Sequence, residues 1–165
     1  MLKAGVDLGA VNTKVAIVDD GTVLALVGVP TGFDQKASTE KALEQAIAKA
    51  GKTRKDITQI VATGAGRDSV SDMVNGKVTE ISSAAKGAAF LIPSARTVID
   101  AGGEEARAVR MDNERRVKDF AVNERCAAGA GAFVEAMAKA LEVSVEELAK
   151  ISLESTQKVP MNAQC

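Results

Sequence analysis

A short stretch near the N-terminus decides the fold of this chain: Val6-Asp7-Leu8-Gly9-Ala10-Val11-Asn12-Thr13-Lys14. A β-rich run ends here on an aspartate, and a glycine follows two residues later. A second stretch repeats this order: Val98-Ile99-Asp100-Ala101-Gly102-Gly103-Glu104. Glycines directly after such an aspartate let backbone N–H groups approach phosphate oxygens, and the carboxylate can hold a hydrated Mg²⁺. The two stretches therefore predict two phosphate clamps.

The residues of each clamp follow from these turns. Those of the first clamp are Asp7, Gly9, Asn12, Thr13 and Lys14, where Thr13 adds a hydroxyl and Lys14 a cation. Those of the second clamp are Asp100, Gly102 and Gly103. Two such turns facing each other from two similar lobes predict a nucleotide polyphosphate held in a cleft between them. A single turn of this kind is also typical of an ordinary tight hairpin, so a purely structural role is the alternative for each turn alone.

Two glutamates next to the second clamp are candidates for hydrolysis. Water attack on a γ-phosphate needs a group that orients the nucleophile, and Glu104 or Glu105 can supply it. We predict Asp7, Asp100 and Glu104 to be the catalytic residues. The alternative is that both glutamates are solvated turn residues.

The predicted elements repeat along the chain. Strands over residues 3–7, 13–18 and 22–29 precede a helix over 38–50, for which Ser38 or Thr39 can act as the N-cap. A strand over 56–62, a short helix after Arg67, a brief strand over 78–81 and a helix over 83–91 follow. Strands over 96–101, 106–111 and 117–122 then precede a helix over about 129–141 and another that opens with a capping box at Ser144.

This repetition predicts an α/β fold made of two β-β-β-α lobes. We place the lobe boundary near Pro93, so that the first lobe covers residues 1–92 and the second 93–165. The second lobe lacks the further strand and helix units that complete the first. We therefore expect a truncated chain.

Composition excludes several functional classes. The 21 basic and 22 acidic side chains give a formal charge of -1, so no field attracts nucleic acid or an anionic membrane. No apolar run approaches the roughly 20 residues that span a bilayer, and we expect a cytoplasmic protein. Histidine is absent, which removes the commonest general base and the commonest zinc ligand.

The two cysteines are Cys126 and Cys165. In a reducing compartment such widely spaced cysteines are expected to be thiols rather than a disulfide. Cys126 precedes the small-residue helix start Ala127-Ala128-Gly129-Ala130-Gly131, where unpaired N–H groups and the positive dipole end stabilise a thiolate or an anionic cluster. The alternative is a buried, inert cysteine beside a glycine turn.

Several motifs together carry a family resemblance. They are Asp7-Leu8-Gly9 with Thr13-Lys14, Ala62-Thr63-Gly64-Ala65-Gly66-Arg67, Thr79-Glu80-Ile81-Ser82 with Ala85-Lys86-Gly87-Ala88, Asp100-Ala101-Gly102-Gly103, and Cys126-Ala127-Ala128-Gly129-Ala130-Gly131. In this order and approximate spacing, the chain resembles the activators of 2-hydroxyacyl-CoA dehydratases and the related ATPase subunits of benzoyl-CoA reductase. These proteins belong to the acetate-kinase, sugar-kinase, heat-shock-protein and actin superfamily.

The resemblance implies a ribonuclease-H-like (actin-like ATPase) fold and an ATP-hydrolysis-driven one-electron donor that uses Mg-ATP. It implies that Cys126 and Cys165 ligate one [4Fe-4S] cluster shared across a homodimer. The arithmetic agrees, because such a cluster takes four thiolates and a two-fold axis doubles the two that one chain offers. The implied partners are a CoA-thioester dehydratase or reductase as electron acceptor and a ferredoxin or flavodoxin-type donor, with no nucleic acid or membrane.

The chain departs from the family pattern at four positions. Glu104 and Glu105 stand where Gln and Asp are common, and Ala130 and Ala132 where Thr and Arg are common. The glycine-rich adenosine motif of the superfamily is also absent from this sequence. Two alternatives therefore stand beside the electron-transfer activator: a small-molecule kinase of the same superfamily without a cluster, and an inactive fragment.

Overall fold

The computed structural model describes residues 1–123 and 131–158. The chain divides into two compact units, unit 1 (Met1–Gly87) and unit 2 (Ala88–Cys165).

Unit 1 contains one mixed five-stranded sheet. Its strands are β1 (Leu2–Leu8), β2 (Asn12–Asp19), β3 (Thr22–Pro30), β4 (Gln59–Thr63) and β5 (Gly76–Lys77). The strand order is β3-β2-β1-β4-β5, with β1, β2 and β3 antiparallel and β4 parallel to both β1 and β5. The predicted three-stranded meander is therefore confirmed. The parallel pairing brings the end of β4 beside the end of β1.

One helix covers one face of this sheet. Helix α1 (Gln35–Lys49) packs against β1, β2 and β3. Apolar side chains of the strands alternate between the two faces, as a period of two requires, and those on the helix side form the core. The fully or almost fully buried core residues are Ala4, Val6, Leu8, Val15, Ile17, Ala42, Leu43, Ala46 and Ala62.

Several local predictions in unit 1 are wrong. Helix α1 begins earlier than expected, because Asp34 is its N-cap and accepts a hydrogen bond from the backbone N–H of Ala37 (2.9 Å). Ser38 and Thr39 are instead buried inside the helix. The strand expected to begin at residue 56 begins at Gln59, since a 3-10 helix occupies Arg54–Asp56.

The strand expected over residues 78–81 is also absent. Helix α2 (Glu80–Leu91) begins within that range. The hydroxyl of Thr79 accepts a hydrogen bond from the backbone N–H of Ser82 (3.3 Å), which is the contact that a helix N-cap makes. The short helix expected after Arg67 is a 3-10 helix over Arg67–Val70.

Unit 2 contains a three-stranded antiparallel sheet in the order β6 (Thr97–Ala101), β7 (Ala106–Met111) and β8 (Val117–Asn123). Helices α3 (Gly131–Ala140) and α4 (Val145–Leu153) follow. Ser144 caps α4 by accepting a hydrogen bond from the N–H of Glu147 (3.1 Å), as predicted. Within the part of the chain that the structure describes, no helix is both long enough and apolar enough to cross a membrane.

The division between the units falls inside α2. Unit 1 ends at Gly87, five residues before residue 92, where we predicted the first lobe to end. Each unit therefore holds one three-stranded meander and one of the two predicted clamps.

Candidate phosphate-binding turns

Residues 7–14, called turn 1 from here on, connect β1 to β2 in unit 1. The backbone N–H of Gly9 donates to the carbonyl of Asn12 (3.2 Å) and closes the turn. A Cβ at Gly9 would lie 2.9 Å from that carbonyl oxygen, closer than side chains approach. Glycine is therefore required here by the closure of the turn itself.

An ion pair crosses turn 1. Asp7 of β1 and Lys14 of β2 are cross-strand partners, and the Lys14 Nζ lies 2.9 Å from the Asp7 Oδ2. Both side chains are on the sheet face opposite α1, and both are accessible, at 40% and 58% exposure respectively. The turn therefore presents a carboxylate and a cation to a ligand at the same point of the surface.

Thr13 does not share this face. Successive side chains of a strand point to opposite faces, so Thr13 and Lys14 cannot both lie beside Asp7. Thr13 is fully buried, and its hydroxyl lies 2.9 Å from that of Thr31 and 3.2 Å from that of Ser38. The predicted contribution of this hydroxyl to the clamp is wrong in geometry, because the hydroxyl lies behind the turn.

The second glycine motif supports turn 1. Gly64 and Gly66 follow β4 and pack against Leu8, and the N–H of Gly66 donates to the Leu8 carbonyl (2.9 Å). Gly64 has a φ of +96°, and a Cβ on it would lie 2.4 Å from the Leu8 oxygen. A Cβ on Gly66 would lie 2.8 Å from the Leu8 side chain. These glycines, called the glycine bracket, hold the backbone between Asp7 and Gly9.

Thr63 is a site residue that the sequence reasoning missed. It is the register partner of Asp7 in the parallel β1–β4 pair, so Lys14, Asp7 and Thr63 form a row across three strands. Its Oγ1 is buried and has no hydrogen-bond partner among the residues that the structure describes. No local sequence signal identifies it, because its place beside Asp7 depends on the parallel pairing of β4 with β1.

Residues 100–107 form turn 2, between β6 and β7 in unit 2. The N–H of Gly102 donates to the carbonyl of Glu105 (2.8 Å), and a Cβ on Gly102 would lie 3.2 Å from that oxygen. Asp100 and Arg107 are cross-strand partners. In both turns the glycine lies two residues after the aspartate, the accepting carbonyl five residues after it and the paired cation seven residues after it. Turn 2 is therefore the structural equivalent of turn 1.

Arg107 is the second site residue that the sequence reasoning missed. Its side chain is 9% exposed and contacts two carboxylates, with Nη1 3.3 Å from Asp100 Oδ2 and Nη2 2.6 Å from Glu105 Oε2. Its position seven residues after Asp100 matches that of Lys14 after Asp7, which is the signal that could have identified it. Glu105 thus has a cation partner, whereas Glu104 is exposed.

Helix α3 begins directly on turn 2. The N–H of Gly131 donates to the carbonyl of Gly102 (2.8 Å), and the N–H of Ala132 donates to that of Gly103 (2.9 Å). These bonds satisfy two of the N–H groups that a helix start leaves unpaired. Turn 2 and the first turn of α3 are therefore joined directly by backbone hydrogen bonds.

The two predicted metal ligands, Cys126 and Cys165, lie outside the described residues. Within residues 1–123 and 131–158, no group of three or more His, Cys, Asp or Glu side chains is placed to hold a metal ion.

Comparison with known proteins identifies relatives over the whole chain. Residues 4–165 match the model of a family described as the BadF/BadG/BcrA/BcrD ATPase family. The chain is 38% identical over 165 residues to the activator of lactoyl-CoA dehydratase from Anaerotignum propionicum. The aligned region covers 100% of this chain and 63% of that protein.

Two solved structures are similar. One is component A of (R)-2-hydroxyglutaryl-CoA dehydratase from Acidaminococcus fermentans, with a TM-score of 0.88, 31% identity and coverage of 100% of this chain and 63% of that one. The other is the activator of 2-hydroxyisocaproyl-CoA dehydratase from Clostridium difficile with bound ADPNP, with a TM-score of 0.86, 37% identity and coverage of 100% and 61%. The chain thus spans less than two thirds of these relatives. The similarity confirms the predicted actin-like ATPase fold.

Proposed function

Because this chain belongs to the BadF/BadG/BcrA/BcrD ATPase family, we propose that it binds Mg-ATP through turns 1 and 2 and donates single electrons to a 2-hydroxyacyl-CoA dehydratase. The observation that carries this proposal is the repeated geometry of the two turns, each with an aspartate, a tightly approached glycine and a paired cation. One such turn fits any hairpin. Two equivalent turns, in a chain similar to an activator solved with a bound ATP analogue, favour phosphate binding at each turn.

Each turn has a distinct part in binding. The backbone N–H groups beside Gly9 and Gly102 contact phosphate oxygens, because no Cβ stands in front of them. The Asp7 and Asp100 carboxylates would hold water molecules of the Mg²⁺ shell. With a cation at Asp7, the flexible Lys14 side chain would be available to the phosphates.

Hydrolysis requires a residue that orients the attacking water. Of the two glutamates after the second clamp, Glu105 is held by Arg107, and Glu104 is the exposed one. Glu104 is therefore the better candidate. The Arg107 contacts fix the backbone on either side of it, so that the Glu104 side chain extends from a rigid turn.

The redox part of the proposal depends on the two cysteine thiolates as iron ligands. Cys126 and Cys165 would hold a [4Fe-4S] cluster together with the same residues of a second copy, since thiolates are the usual ligands of such clusters. When bound, the cluster supplies the one-electron chemistry. The contact of α3 with turn 2 supports a coupling between nucleotide and cluster, because the segment with Cys126 leads directly into that helix.

The relatives support the proposed electron acceptor. The relatives described above are activators or components of 2-hydroxyacyl-CoA dehydratases, which favours a dehydratase over an aromatic-ring reductase as the acceptor. A ferredoxin or flavodoxin-type protein is the proposed donor. A reducing cytoplasm would keep both thiols available for iron.

Anaerobic reconstitution with iron and sulfide tests the redox role. We expect a homodimer with broad absorption near about 400 nm and about two irons per chain. Cys126→Ser and Cys165→Ser should each remove most of the iron and the absorption, while a melting curve shows that the fold is kept. A colourless, monomeric wild-type protein would refute the electron-transfer role and favour a kinase without a cluster.

A further inference from the structure

Three buried hydroxyl groups lie directly behind turn 1. They belong to Thr13 of β2, Thr31 just after β3 and Ser38 of α1, and none of these residues is more than 8% exposed. We call them the hydroxyl cluster. They join three separate elements at a point where the core is otherwise apolar.

The hydrogen-bond directions in the hydroxyl cluster follow from counting protons. The Thr31 hydroxyl donates to the carbonyl of Gly9 (2.7 Å), so its oxygen must accept from Thr13 (2.9 Å). The single proton of Thr13 is thereby used. Ser38 donates its own proton to the Gln35 carbonyl (3.0 Å), and its oxygen lies 3.2 Å from that of Thr13. The donors therefore run from Thr13 to Thr31 and end on the Gly9 carbonyl.

The hydrogen bond to the Gly9 carbonyl determines the direction of the Ala10 amide. The carbonyl of Gly9 and the N–H of Ala10 belong to one planar trans peptide, in which the two groups point in opposite directions. Because the hydroxyl cluster draws the carbonyl inward, the N–H of Ala10 is directed away from the core. Thr31 adds a second restraint, since its backbone N–H donates to the carbonyl of Val11 (3.0 Å).

We propose that Thr31 is a positioning residue for phosphate binding, whose hydroxyl and backbone N–H hold the Gly9 and Val11 carbonyls so that the Ala10 amide faces the ligand. This inference rests on the proposed nucleotide function of turn 1. It also gives Thr13 a role other than the predicted one: it supplies the proton that leaves the Thr31 hydroxyl free to donate to Gly9.

The choice of Thr31 is specific. Thr39 is equally buried, and its hydroxyl donates to the Gln35 carbonyl (2.8 Å) within the same helix. It has no bond to turn 1 among those described. Thr39→Val is therefore a matched control, because it removes a buried hydroxyl from the same unit without touching Gly9.

The test compares wild type, Thr31→Val, Thr31→Ser and Thr39→Val in the full chain. Amide exchange of Gly9 is followed by NMR without ligand, Mg-ADP affinity by calorimetry, and stability by thermal melting. Thr31→Val should accelerate exchange at Gly9, but not at Ala4 in β1, and should weaken Mg-ADP binding about tenfold. Thr31→Ser should restore both to near wild type, and Thr39→Val should change neither.

The possible results distinguish failure of the Thr31 inference from failure of the proposed nucleotide binding. The inference is overturned if Thr31→Val leaves Gly9 exchange unchanged, if the affinity is unchanged despite faster exchange, or if Thr39→Val weakens binding as much. A folded wild-type chain that binds no Mg-ADP refutes the proposed function instead. The exchange of the Gly9 amide then decides by itself whether Thr31 positions the turn.

Discussion

Turn 1 and turn 2 have the same backbone plan but different supports. Turn 1 is held from behind by neutral groups, namely the hydroxyl cluster and the glycine bracket. Turn 2 is held by charge, since the almost buried Arg107 bridges Asp100 and Glu105. In turn 1 the equivalent cation, Lys14, pairs with Asp7 and is largely exposed.

This difference suggests different tasks. A turn fixed by close packing cannot shift without strain, so turn 1 suits a constant grip on phosphate. A turn fixed by ion pairs, with a helix bonded to its glycine carbonyls, can respond when a ligand changes the local charge. We therefore assign the fixed part of the proposed site to turn 1 and the responsive part to turn 2.

The largest effect is expected at the glycine bracket. Gly64→Ala places a Cβ 2.4 Å from the Leu8 oxygen at a φ of +96°, and should destabilise the chain by about 3 kcal/mol or more. Gly5→Ala is the control, because a Cβ at Gly5 has no atom within 4 Å. Denaturant unfolding measures both. Equal stability of the two variants would show that turn 1 is not held by close packing.

A smaller effect is expected for the two cations, and it should differ in kind. Arg107→Gln leaves two carboxylates beside each other without their cation and should cost about 1–2 kcal/mol of stability. Lys14→Gln should leave the melting temperature almost unchanged, because exposed ion pairs contribute little, and should instead weaken Mg-nucleotide binding. If both variants lower stability equally, the distinction between the two turns is lost.

The smallest effect concerns pH in the neighbourhood of the glycine bracket. A hydrogen bond from Lys77 holds the pKa of Asp68 below its ordinary value of 3.8. A carboxyl group with a lowered pKa contributes stability above its unfolded pKa and loses it as the pH falls through the folded value. Asp68→Asn should therefore lower the melting temperature slightly at pH 7 and not at pH 2.

Melting curves of wild type and Asp68→Asn at these two pH values check this prediction. Because the carboxylate is fully exposed, the difference should also shrink at high salt. A difference that persists at pH 2 would mean that Asp68 acts through packing and not through its charge.

Much of the fold could be predicted because strands and tight turns leave local signals. The alternation of apolar residues and the glycines after Asp7 and Asp100 located the strands of both meanders. Side chains alternate between the two faces of a strand, so Thr13 and Lys14 cannot both share the face of Asp7. This exclusion could have been made from the sequence alone.

The supports of the turns could not be predicted, because they depend on contacts between distant parts of the chain. Thr31 lies 22 residues from Gly9, and Thr63 reaches Asp7 only through the parallel pairing of β4 with β1. Neither pair of residues has a fixed separation in the sequence. Arg107 does have one, because it lies seven residues after Asp100, as Lys14 lies seven residues after Asp7.

The most direct test of the account is a calorimetric titration of the chain with Mg-ATP, repeated for Asp7→Asn, Asp100→Asn and the exposed control Asp119→Asn. We predict one nucleotide per chain, a loss of about tenfold or more in affinity for each turn variant, and wild-type affinity for the control. A folded wild-type chain that takes up no nucleotide, or a turn variant that binds as tightly as Asp119→Asn, would contradict the proposal that both turns contribute to nucleotide binding.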